Sequence, residues 1–241
     1  AQSSLLTSNK QTLFSLLLGV FGGLLFFIFA EYISDFFDGA GIEITKATLL
    51  FITYVCLSSY QITTVSHINN KVLKRYIFIL FIIGITAFIT LKSSEFLIFF
   101  NVYIQQSENN INMLIGCLIG IGICISFSVL FMFLLNELKL RRFLGFITIC
   151  WYLFLAGQVS HSIDYLSQID WLTIGTPLFN FNEYIRDRSE YGHILKALFG
   201  YEASPSTSFV LLYICSLTLP LIINGLVIIN KKSSRQETRH E

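Results

Sequence analysis

Apolar positions in this chain are concentrated in long runs and not in the stripes of a soluble amphipathic fold. Six runs, 11–34, 47–66, 76–104, 111–135, 143–163 and 209–230, concentrate the apolar residues. Each holds about 20 residues or more, the length a helix needs to cross the hydrocarbon core of a bilayer. The first is too long for a signal-peptide core and has no clear cleavage site, so it counts as a span. Between the fifth and sixth runs, 164–208 is too long for a passive connector. Within it Ser189 is placed to cap a helix over 191–199, with Tyr191, Leu195 and Leu198 on one apolar face. Gly200 ends that helix and Pro205 stops the chain before the last run. The expectation is an all-α fold: a polytopic membrane helix bundle of six transmembrane helices with a short extracytoplasmic amphipathic helix. These make a single transmembrane domain over 1–241. The outer helix is expected to be docked, anchored by Phe199 and Tyr201, because so short a helix is marginal in water without packing.

Composition narrows the class. The chain is 54% hydrophobic and only 13% charged, which excludes an ordinary soluble domain. A net charge of +1 with scattered basic residues excludes a nucleic-acid partner and leaves the lipid bilayer. The basic residues alternate between loops: Lys71, Lys74 and Arg75; Lys139, Arg141 and Arg142; Lys231, Lys232, Arg235 and Arg239. The positive-inside rule then puts both termini in the cytoplasm and 164–208 outside. Cys56, Cys117, Cys124, Cys150 and Cys215 all lie in apolar runs without a CxxC pair, as small buried apolar residues do. No HExxH, phosphate-binding glycine loop or GxSxG occurs, so the chain does not read as an enzyme. Transport or a structural role remains.

One polar cluster, Lys92-Ser93-Ser94-Glu95, interrupts the third run. Ionisable groups inside a span cost about 2.5–3.5 kcal/mol each on insertion scales and mark functional sites by default. Lys92 and Glu95 share a helical face at i, i+3. Glu95 is therefore either a metal ligand for a passing cation or the counter-charge of Lys92. At the outer end of the first run, Glu31, Asp35 and Asp38 recur at i, i+4 and i+7 as a candidate cation entrance, or as a helix end meeting water. His161 and Asp164 form a third candidate, two possible metal donors or a hydrogen-bonded helix terminus. His193 reads as a surface residue. Gly19/Gly23 and Gly116/Gly120, beside Gly22 and Gly122, have spacings that let helix backbones approach closely.

Leu198-Phe199-Gly200-Tyr201 followed by Pro205-Ser206, with Ser189, Gly192 and Leu195 upstream, resembles the tail of the oxidase-dependent high-affinity iron permeases of bacteria and fungi. The basic loop 67–75, Gln105-Gln106, Leu138-Lys139-Leu140, Ala156-Gly157 and Asp170-Trp171-Leu172 follow in the same register. The resemblance implies iron ion as substrate, no permanently bound cofactor, a bacterial inner (plasma) membrane location, and an upstream helix or a partner oxidase or iron-binding subunit. Members of that family carry Arg-Glu-x-x-Glu on their first and fourth spans, paired hard oxygen ligands on one face. Here 11–34 resembles the second span. The later motif falls on Leu91-Lys92-Ser93-Ser94-Glu95, with a lysine where the first glutamate belongs, and Lys46 fills another expected acidic position. An ammonium about 4 Å from a unit cation repels it by about 4 kcal/mol at an effective dielectric of about 20. Two functions fit: an iron permease-like transporter with Glu95 as remaining ligand, or a transport-incompetent homologue serving as a structural or accessory subunit of a membrane complex.

Overall fold

A computed structural model describes residues 9–66, 71–106, 110–140, 143–172 and 175–237. Among them the chain is helical, without a strand: α1 (Asn9–Ile28), α2 (Ala30–Asp35), α3 (Gly41–Ser66), α4 (Lys71–Gln106), α5 (Asn110–Leu140), α6 (Leu144–Gln168), α7 (Glu190–Phe199) and α8 (Thr207–Glu237). Helices α3, α4, α5, α6 and α8 are long and apolar enough to cross a membrane. The apolar stretch of α1, Thr12–Ile28, is shorter. All 20 residues of α1 rise about 30 Å, close to the thickness of the hydrocarbon core. The expected first span over 11–34 is thus divided. A turn at Phe29 ends α1, and α2 follows as a separate short helix. The chain then reverses through Phe37, Asp38 and Gly39, all at positive φ (57°, 57° and 94°). Gly41 begins α3 against the Ile33 carbonyl, where a side chain has no room. Of the basic residues used for topology, Arg141, Arg142 and Arg239 lie outside the described residues, as does 67–70 of the first basic loop.

The chain forms two compact units, Ala1–Ser94 with Tyr152–Glu241, and Glu95–Trp151. In the first, α1 packs on α4 through its glycines. A Cβ at Gly19, Gly22 or Gly23 would come within 2.7, 2.7 and 2.5 Å of Ile89, Thr90 and Ser93. Two threonines of α4 use that proximity: Thr86 donates to the Ser15 carbonyl at 3.4 Å and Thr90 to the Gly19 carbonyl at 3.2 Å. Lipid gives no hydrophobic drive for helices to associate, so close packing and such bonds hold them together. Gly84 of α4 abuts Leu57 and Cys56 of α3, and the Tyr60 and Phe81 rings meet at 4.8 Å. Phe88 and Phe154 join α4 to α6 edge-on at 5.7 Å. Tyr152, Leu155, Ala156 and Val159 of α6 are among the most buried residues of the unit.

In the second unit, Phe96 and Phe100, Phe99 and Tyr103, and Phe127 and Phe131 stack along their own helices. A Cβ added at Gly116, Gly120 or Gly122 would meet nothing within 4 Å. The close approach expected of this glycine pair is therefore made in α1 and not in α5. None of the most apolar window of α5 is buried. An apolar helix with so little of its surface buried in protein is stable where its solvent is lipid.

The segment carrying α7 is docked on α6, as the cap and stop residues predict. Ser189 accepts from the Gly192 N–H at 3.0 Å, and Gly200 closes α7 in the left-handed conformation at φ 67°. The buried face differs from expectation. Tyr191 is 76% exposed, while Gly192 is buried and Leu195, Leu198 and Phe199 are half-buried. The helix docks where it has no side chain: Gly200 lies against Gly157 of α6 so closely that neither position has room for a Cβ. Gln158 donates to the Ala197 carbonyl at 3.2 Å. Beyond α7, Tyr201 donates to the Ile185 carbonyl at 3.0 Å, and the Phe181 and Leu178 N–H groups bond Ala203 and Pro205 carbonyls at 2.7 and 3.0 Å.

Candidate cation sites

The polar cluster of α4 sits beside α1. Ser93 faces Gly23, five residues before α1 ends at Ile28. That places Ser93 about 7–8 Å short of the α1 end along the helix axis. Ser94 is fully buried and donates to the Leu91 carbonyl at 2.7 Å. Lys92 is exposed, its Nζ 6.0 Å from the Phe88 ring centroid, and both Lys92 and Glu95 make further interactions. Lysine at this depth keeps its stem on apolar surface and lifts its charge towards the interface. Glu95 is half-buried.

A second cluster forms at the C-terminal end of α6. His161 Nδ1 lies 3.0 Å from Asp164 Oδ2, and the His161 ring meets Phe209 of α8 edge-on at 5.8 Å. The sequence-predicted pair is therefore brought together. The structure adds two acids that periodicity did not point to. Asp187 accepts from the Ala203 N–H at 2.7 Å, which fixes the tail after α7. Glu202, in that tail, is set among Asp164, Lys196, Asp187 and His161. Burial pushes its carboxyl above the ordinary range; Asp164 and Asp187 raise it further, while Lys196 and His161 pull it down. Glu202 also lines a cavity of about 360 Å³ with Phe179, Phe199, Phe209 and Tyr213. Among the described residues no three His, Cys, Asp or Glu side chains converge closely enough to hold a metal ion.

The shift of Glu202 has a testable sign. Between its ordinary 4.5 and the raised value, the folded protein binds more protons than the unfolded one. Stability therefore falls as pH rises through that window. Glu202→Gln is expected to raise thermal stability modestly near neutral pH and to lose that advantage below pH 4.5. The gain is small because water screens a half-buried carboxyl. Equal unfolding temperatures at neutral pH contradict it.

The remaining candidates separate. Glu31 and Asp35 lie on α2, but Asp38 belongs to the reverse turn, so the helical stripe does not extend to it. All three are exposed, as is His193 on α7. The Lys46 ammonium lies 5.3 Å from the Tyr165 ring centroid.

Membrane-length helices packed through glycines define a polytopic helical membrane protein. Residues 95–236, more than half of the chain, match the iron permease FTR1 family, and the chain belongs to that family. No curated protein and no solved structure matches it. The matched stretch opens at Glu95 and takes in α5, α6, α7 and most of α8.

Proposed function

We propose that the protein carries iron ions across a membrane. The observation that carries this reading is the family match over 95–236, which includes both Glu95 and the outer acid cluster. The chemistry agrees. Iron ions favour hard oxygen ligands over water only where carboxylates replace the lost hydration. Asp164, Asp187 and Glu202 raise the local concentration of hydrated cation at the bundle end. Glu95 supplies an anionic oxygen inside the apolar layer, where bare charge is otherwise excluded. Expression in cells stripped of their own iron uptake tests the reading. Radioactive iron should accumulate above the empty-vector level; accumulation equal to that level would contradict transport.

In this reading the outer segment faces away from the cytoplasm of a bacterial inner membrane, and both termini face into it. The alternation of basic loops supports that orientation. Glu183 and Lys139 are both exposed. A cysteine at Glu183 should react with an impermeant thiol reagent on intact cells, and one at Lys139 only after permeabilisation. The reverse pattern would invert the topology.

A further inference from the structure

Pro220 is fully buried inside α8. Proline has no N–H, so the carbonyl four residues earlier loses its helical donor, and that carbonyl belongs to Ser216. The missing bond is supplied from another helix: the Tyr54 hydroxyl of α3 donates to the Ser216 carbonyl at 2.7 Å. One turn beyond Pro220, Asn224 is 5% exposed and its Nδ2 donates to the hydroxyl of Tyr152, a fully buried residue of α6, at 3.1 Å. Asn224 Oδ1 is buried and meets no hydrogen-bond partner among the described residues. Helix α8 is thus gripped by one tyrosine before the proline and by another after it.

Substituting a side-chain donor for a backbone donor changes how the helix responds to load. A backbone bond breaks only if the helix unwinds, whereas a hydroxyl leaves and returns by a small rotation. Spanning helices tolerate proline because neighbouring side chains re-satisfy the freed carbonyl, and such breaks are where helices bend. The half of α8 before Pro220 carries Phe209, Val210 and Tyr213, which line the cavity beside Glu202. From this juxtaposition we infer that Pro220 is a hinge in α8 and that Tyr54 is a positioning residue, holding or releasing the helix half that walls the outer cavity. The inference rests on the transport reading for its purpose, but not for its geometry. Release of Tyr54 lets that half swing and changes access to the cavity. Asn224, held by Tyr152, keeps the other half in place.

Spin labels at Thr207 and Leu226, both exposed, bracket the hinge at about 28 Å along the helix. They are introduced in a variant whose five native cysteines are replaced, reconstituted in lipid vesicles. The expected distance distribution has two populations. Tyr54→Phe shifts their ratio severalfold towards the population that is minor in the parent. Pro220→Ala restores the backbone donor to Ser216 and collapses the distribution to one, and adding Tyr54→Phe to it has no further effect. A single population in the parent that Tyr54→Phe leaves unchanged would overturn the hinge, even if that variant melts earlier. Should Pro220→Ala not fold, the parent and Tyr54→Phe distributions decide alone. Absent iron uptake in the parent would sink the transport reading and leave the distances to judge the hinge.

Discussion

Glu95→Gln is expected to reduce iron uptake to background while the protein remains folded in the membrane. Glutamine keeps the shape and the neutral hydrogen-bonding capacity of the side chain but loses the anionic oxygen. In the proposed transport role, that oxygen is the group that offsets the dehydration of a multiply charged ion. The competing role for Glu95 is to neutralise Lys92, one helical turn away. The two roles separate cleanly. Leaving one charge of an ion pair uncompensated within an apolar span is destabilising. A counter-charge role therefore predicts a poorly folded single variant, rescued by Lys92→Met/Glu95→Gln. Uptake and thermal stability, measured together for the parent, the single and the double variant, distinguish them. Normal uptake in Glu95→Gln would eliminate the ligand role.

The largest structural effect is expected from Gly157→Ala. A Cβ at Gly157 would fall 2.6 Å from the Gly200 nitrogen and from the carbonyl carbon and oxygen of Phe199. These are backbone atoms and cannot rotate aside, so α7 must lift away from α6. Overpacking of this kind costs about 1–3 kcal/mol. Gly200 is constrained from both directions, since its φ of 67° disfavours a side chain whatever the space. Lifting α7 also carries Glu202 away from Asp164 and His161, which loosens the outer cluster. Protease applied from outside should leave Lys196 intact in the parent and cleave it readily in Gly157→Ala. Rapid cleavage at Lys196 in the parent would show that α7 is not docked.

Local chemistry was legible in the sequence; relations across the fold were not. Run length alone marks α3, α4, α5, α6 and α8, because a bilayer demands apolar length and nothing more specific. Ser189 and Gly200 bound α7 because cap and stop chemistry acts within a few residues. The turn at Phe29 has no proline or glycine to announce it, so α1 and α2 read as one span and Asp38 appeared to continue a helical stripe. The face of α7 was misread at Tyr191 because a hydrophobic pattern scores side chains, whereas this helix docks through a glycine. Glycine spacing says only that a backbone can approach: Gly19 and Gly23 have a neighbour in α4, Gly116 and Gly120 meet none. Glu202 joins His161 and Asp164 only through the fold, and Tyr54 reaches a carbonyl 162 residues away. No periodicity carries contacts of that range.

Iron flux into sealed vesicles tests the central claim most directly. Purified protein is reconstituted with an iron-quenched dye inside, and iron is added outside, in parallel with Glu95→Gln at equal protein content. Quenching should proceed in the parent vesicles and fall to the protein-free rate with Glu95→Gln. Parent vesicles that quench no faster than protein-free ones would contradict iron transport by this protein.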